Sequence, residues 1–188
     1  MSAEINRLLE FWMGSSNPIE MAAYRDEWWI KNGEFDRRIN EDFGNLYEQA
    51  ANGELDSWKE TPLGCVALVI LLDQFPRNMF RGDPKSFATD PQARDLTRYV
   101  LDNGFDQQVP MGCKVFLYLP LEHSEDLDHQ NACVALMQAM GNENATEFAI
   151  KHQVIIERFG RFPHRNEVLG RESTPEEIEF LKGPDSSF

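Results

Sequence analysis

What the chain lacks narrows it first. It has three cysteines in 188 residues, Cys65, Cys113 and Cys133. Three cannot all pair, no Cys-x-x-Cys occurs, and each sits in an apolar stretch. That pattern fits buried free thiols in a reducing cytoplasm, not a disulfide or zinc framework. Long apolar runs are missing too. The longest, Cys65 to Leu72, falls well short of the roughly 20 residues a membrane helix needs. The opening MSAEINRLLEFW has no charged-then-apolar signal pattern. Positive charge is scarce: 18 Lys and Arg face 32 Asp and Glu, for a formal net charge of −14. Binding phosphate chains rests on basic surface, so neither nucleic acid nor a membrane is expected as a partner. There is no Walker loop, dinucleotide fingerprint or G-x-S-x-G elbow, so no cofactor is expected and no nucleophile stands out. No stretch alternates cleanly enough to propose a strand.

What is present is helical periodicity. Apolar residues make up 41% of the chain and aromatics 11%, enough for one sizeable domain over residues 1–182 with a frayed tail at 183–188. Ile5, Leu8, Leu9 and Trp12 form a stripe that predicts a helix from Ala3 to Met13. A second helix is expected from Ile19 to Ile30. Ile39, Phe43, Leu46, Tyr47 and Ala50 predict a third, ended by Gly53. Thr61-Pro62 opens a fourth, apolar all round and therefore central, ending before Pro76. Asp90 caps a fifth, running to Leu101. Pro110 to Leu119 is a sixth, stopped by Pro120. Ser124 caps a seventh, running to Met140, with Leu127, Ala132, Val134, Ala135 and Met137 facing the core. An eighth covers about Ala145 to Phe159. Thr174-Pro175-Glu176-Glu177 is a capping box that opens a last helix to Leu181. Trp12, Trp28, Trp29 and Trp58 are expected in the core. The fold class is all-α: eight or nine helices in stacked antiparallel hairpins.

Two loops stand out against this background. DQFPRNMFRG and ERFGRFPHRNEVLGRES each follow an apolar helix and share Phe-Pro followed by Arg-Asn. They hold six of the chain's 12 arginines: Arg77, Arg81, Arg158, Arg161, Arg165 and Arg171. Guanidinium groups suit carboxylates and phosphates. They also suit the unbonded carbonyls at a helix end, so capping is the competing role. If alternate helices run parallel, the loops at 73–81, 122–125 and 157–166 meet on one face and form one composite site. Its ligand-binding candidates are Arg77, Asn78, Arg81, Glu125, Arg158, Arg161, Arg165 and Asn166. His123 and His164 are candidates for general acid or base, with Asp73 to orient them. Glu125 and His129, four apart on one helical face, with His123 beside them, form only a weak metal pattern, and no metal is expected. Three readings follow: a binding module for an anionic small molecule or peptide, an enzyme acting on a phosphate- or carboxylate-bearing metabolite through a histidine, or loops that are purely structural locks. The composition leaves a homo-oligomer open.

LLDQFPRNMFRG, LPLEHSED and RFGRFPHRNEVLGRESTPEE, in this order and preceded by GELDSWKETPLG, resemble a bacterial family known as domain of unknown function 924. The resemblance covers roughly Leu8 to Leu181. It implies an all-helical fold of tetratricopeptide-like hairpins. It carries over no catalytic residue. No plain 34-residue repeat consensus is visible in the chain, so the implied likeness is one of shape.

Overall fold

The computed structural model describes residues 2–184 and 186–187, and among them there are helices and no strands. Among the described residues no helix is long and apolar enough to cross a membrane. The chain divides into two compact units: Met1–Arg81 with Lys85–Pro120, and Gly82–Pro84 with Leu121–Phe188. Within the 183–188 tail, Asp185 and Phe188 lie outside the described residues, and the Ser186 hydroxyl donates to the Leu181 and Gly183 carbonyls.

In the first unit, α1 (Ala3–Met13) buries Ile5, Leu8, Leu9, Trp12 and Met13, the predicted stripe. α2 (Gly33–Ala51) buries Phe35, Ile39, Phe43, Leu46, Tyr47 and Ala50. The central helix is α3 (Pro62–Val69), continued by a π-helical stretch (Ile70–Gln74) and then by α4 (Phe75–Met79). Thr61 caps it through the Gly64 N–H. This rod carries the core: Cys65 through Leu71 are almost wholly buried. α1, α2 and α5 (Asp90–Asp102) all pack against it.

Several expectations fail here. The segment from Ile19 to Ile30 is not a helix, apart from a single 3-10 turn at Asp26–Trp28. One backbone N–H and two side chains of the segment are committed to tertiary bonds. It straps the end of α1: Ala22 N–H donates to Met13 O, Arg25 to Phe11 O and Trp12 O, and Trp28 Nε1 to Trp12 O. Trp29 remains about half exposed, while Trp12, Trp28 and Trp58 are core. The central helix also does not stop at Pro76. Proline removes one N–H and crowds the carbonyl four residues back, which is that of Leu72. The π-stretch loosens the turn there, and Thr89 Oγ1 donates to Leu72 O at 2.6 Å, so the carbonyl keeps a donor. Thr89, not Asp90, is therefore the residue before α5, and its hydroxyl is used elsewhere than on that helix. Finally, α6 (Met111–Glu122) passes through Pro120 instead of ending at Leu119.

In the second unit, α7 (Leu127–Met140) and α8 (Glu143–Phe159) form a helical hairpin, turned by Gly141 in the left-handed conformation. The cap of α7 is Asp126, not Ser124; its carboxylate accepts from the Asp128 and His129 N–H groups. The core face is Gln130, Cys133, Val134 and Met137, and Leu127 is exposed. Gln130 belongs there because its amide donates to the Leu121, Glu122 and Ser124 carbonyls and closes the end of α6. α9 (Pro175–Phe180) opens on the predicted capping box.

Candidate functional site

The predicted site residues fall into two groups, one in each unit. In the first unit, Asp73 is fully buried at the end of the π-stretch. Arg77 lies one turn on, at 3.3 Å from Asp73 Oδ1, and donates to both oxygens of Asp90 at 2.8 and 3.1 Å. Its Nη1 also donates to Asp73 O at 2.7 Å, within the α3–α4 rod. Burial pulls the Arg77 guanidinium down, but Asp73 and Asp90 outweigh it and hold it above the ordinary value. Asn78 and Arg81 both donate to Asp36 on α2, at 2.6 to 3.1 Å. These contacts fasten α4, where the sequence reads as a loop, to α2 and to the start of α5.

In the second unit, the arginines of the other loop also meet carboxylates. Arg158 pairs with Glu176 on the surface. Arg161 makes a two-pronged contact with Glu177 at 2.6 and 2.8 Å, and Arg171 does the same with Glu125 at 2.7 and 2.9 Å. Asn166 joins the two pairs: its amide donates to Glu177 and Ser173, and its oxygen accepts from Arg171. Glu125 also accepts from the Phe162 N–H. Burial pushes its carboxyl up, and Arg171 with that N–H brings it to below the usual range. Glu125 is thus taken up by Arg171, and His129 by Ser124 Oγ at 2.9 Å. Among the described residues no group of three side chains is placed to hold a metal.

Around this frame lies a cluster of imidazoles. The His123 and His152 rings are 6.3 Å apart, His152 and Phe162 5.6 Å, and Phe162 and His164 5.6 Å. The Arg165 guanidinium stacks over Phe162 at 4.5 Å. His152 Nδ1 donates to Phe148 O and lies 3.5 Å from Glu122 Oε1. Burial pulls His152 down to about 3, with His123, Arg165 and His164 acting in the same direction. Burial and Arg165 together hold His164 down at about 4. Both histidines are therefore neutral at pH 7.

Sequence reasoning placed His123, His164 and Arg165 in one site, and the structure brings them together. Sequence reasoning missed that the buried His152 ring joins the cluster. It also missed Asp36 and Asp90 as partners of the first loop. Asp36 lies more than 40 residues from Arg81 in sequence, so no local pattern could show the pairing. Asp90 reads as a cap because an acid before proline at a helix start ordinarily is one.

The fold and the two carboxylate-pinned loops define an all-helical protein built on a repeated Phe-Pro-Arg-Asn device. Residues 8–185 match the family described as bacterial protein of unknown function (DUF924), and the chain belongs to that family. It is similar to a structure of a protein of unknown function from Agrobacterium tumefaciens, with 41% identity and a TM-score of 0.88 over 96% of this chain and 98% of that one. No curated protein matches it.

Proposed function

We propose that the second unit is a binding module for a small anionic molecule or the acidic end of a peptide, with His123, His164 and Arg165 as its contacts. One observation carries this reading: the His152 and His164 imidazoles and the Arg165 guanidinium gather around the buried Phe162 ring, and His123 stands beside His152. Neighbouring positive charge helps to keep His152 and His164 unprotonated. An anion placed among them would gain both charge and donors in a partly dry setting, where such contacts are worth more than in water. On this reading Arg158, Arg161, Arg171 and Asn166 frame the site, and Arg77, Asn78 and Arg81 frame the first unit. The test is a thermal-shift and NMR titration with inorganic phosphate, citrate and a short acidic peptide, on wild type and Arg165→Lys. A saturable shift of the His123 and His164 ring signals, weakened at least severalfold in the variant, supports the reading. Flat titrations with all three probes overturn it.

A second reading, that the loops are locks and nothing more, is favoured by the carboxylates on Arg77, Arg81, Arg158, Arg161 and Arg171. It predicts that Arg165→Ala changes stability and no ligand response.

A further inference from the structure

The first unit contains a cleft of about 350 Å³ between the end of α1 and the start of α2. Its floor is aromatic: Phe11 and Phe35 stack at 5.2 Å with their planes 7° apart. Its rim carries three exposed carboxylates, Glu10, Glu27 and Glu34. The carbonyl end of α1 adds partial negative charge.

The cleft already receives cations from its own chain. Arg25 donates to the Phe11 and Trp12 carbonyls at 2.7 and 2.8 Å, which caps α1 and is structural. Arg38 differs. It is exposed, springs from α2, and lays its guanidinium over the Phe11 ring at 5.2 Å. A guanidinium on an exposed ring face is held by only about 0.5–1 kcal/mol. A side chain held this weakly on a mobile stem can be exchanged for another group of the same kind.

We propose that this cleft binds a guanidinium or ammonium head, either a free organic cation or an arginine or lysine side chain of a partner, which displaces Arg38 from Phe11. The volume suits a small head group with a short stem. The aromatic floor supplies the π face, and Glu10 and Glu27 supply the counter-charge, Glu27 being shared with Arg25 at 3.3 Å and Glu34 being already taken up by Arg37. The site is separate from the imidazole cluster and stands or falls independently of it.

The experiment is an NMR titration of the full chain with butylguanidinium, with its neutral isostere butylurea, and with the peptide acetyl-Gly-Arg-Gly-amide. Saturable shifts centred on Phe11, Glu27 and Phe35 are expected for both cations. Equal affinities would identify the head group alone as the determinant, and a tighter peptide would point to a protein partner. Removing the internal competitor by Arg38→Gln should tighten binding about two- to fivefold, the equivalent of the freed ring contact. Arg37→Gln on the same helix is the control. Arg37 pairs with Glu34 and Glu41 and is not part of the cleft lining, so its loss should change affinity less than twofold if contact and not long-range charge decides. Phe11→Leu, which keeps an apolar side chain, and Glu27→Gln should each weaken binding at least twofold. No saturable shift with either cation, equal binding of butylurea, or equal tightening by Arg37→Gln would each overturn the proposal.

Discussion

Glu177 is where the locking network can be weighed. Its carboxylate is 2% exposed and accepts from Arg161 through two nitrogens, from Asn166 and from the Thr174 N–H. The hydrogen bond from Arg161 does most to hold the carboxyl down at about 2, against an ordinary 4.5. That displacement corresponds to roughly 3 kcal/mol favouring the ionised folded form. Arg161 is 29% exposed, so solvent screening removes part of it, and Glu177→Gln should cost roughly 2–3 kcal/mol at pH 7. Glutamine keeps the shape and one acceptor, so the loss reports charge rather than a cavity. In a protein of this length the melting temperature should fall by roughly 4–10 °C. The sign with pH is fixed. A carboxyl depressed in the folded state stabilises fully above 4.5, and that stabilisation disappears as pH falls towards 2. Denaturant unfolding of both proteins from pH 7 to pH 2.5 should therefore show a gap that is level above about 5 and narrows below it. A gap that stays constant with pH, or one below about 0.5 kcal/mol at pH 7, would refute the account of Glu177 as a charged hub.

Other expectations follow from the same geometry. Arg77→Ala leaves Asp73 and Asp90 buried without their shared cation and should cost on the order of 3–5 kcal/mol by denaturation; a near-neutral result would mean that the pair is not what fixes the loop. Thr89→Val strips the donor from Leu72 O and should cost roughly 1–2 kcal/mol. Adding Pro76→Ala restores an N–H near that carbonyl, so a double-mutant cycle should show a favourable coupling, and strict additivity would reject the compensation. His152 and His164, held below their ordinary 6.5, take up protons on unfolding. They contribute stability that is full above pH 6.5 and is lost as pH falls towards their folded values of about 3 and 4. Between about pH 6 and 4.5 the two together should give a slope approaching 2.7 kcal/mol per pH unit, and His152→Gln should roughly halve it. An unchanged slope would show that His152 does not titrate on unfolding.

Much of the fold was legible because it follows from periodicity. The stripes of α1 and α2 name the residues that are buried, and the capping box of α9 is formed as read. Most of the misreadings arise where a hydrogen bond overrode a local rule. Pro76 and Pro120 read as helix stops, and at Pro76 a threonine 17 residues beyond Leu72 supplies a donor to the Leu72 carbonyl. The Ile19 to Ile30 segment reads as a helix from its aromatics, yet its Ala22 N–H and its Arg25 and Trp28 side chains are spent on the end of α1. At α7 the acid two residues after Ser124 has the better cap geometry, and Ser124 turns to His129 instead. In the site, the residue types were readable and the partners were not. A count of arginines in an acidic chain shows where cations concentrate. It does not show that Asp36, Asp90, Glu125 and Glu177 answer them.

Those partners change what the arginine loops mean. Before the carboxylates are placed, six arginines in two loops look like a reservoir of positive charge for an anionic ligand. Once they are placed, much of that charge is neutralised inside the protein, and the arginines become the means by which α4 and the loop after α8 are held in place. A lock of this kind is also what a site requires, since contacts held loosely bind poorly. The useful distinction is burial. Arg158 and Glu176 are both at least half exposed, and their loss should be nearly silent, whereas Arg77 sits against two buried acids and should not be removable without cost. Arg165 acts on the Glu125 carboxylate and adds an aromatic contact to its setting. It is buried, stacked on Phe162 and set among imidazoles. It is therefore the arginine at which a ligand-dependent effect and a stability effect can be separated: Arg165→Lys keeps the charge and loses the planar fork, so a ligand that reads the fork will register the change even where folding tolerates it.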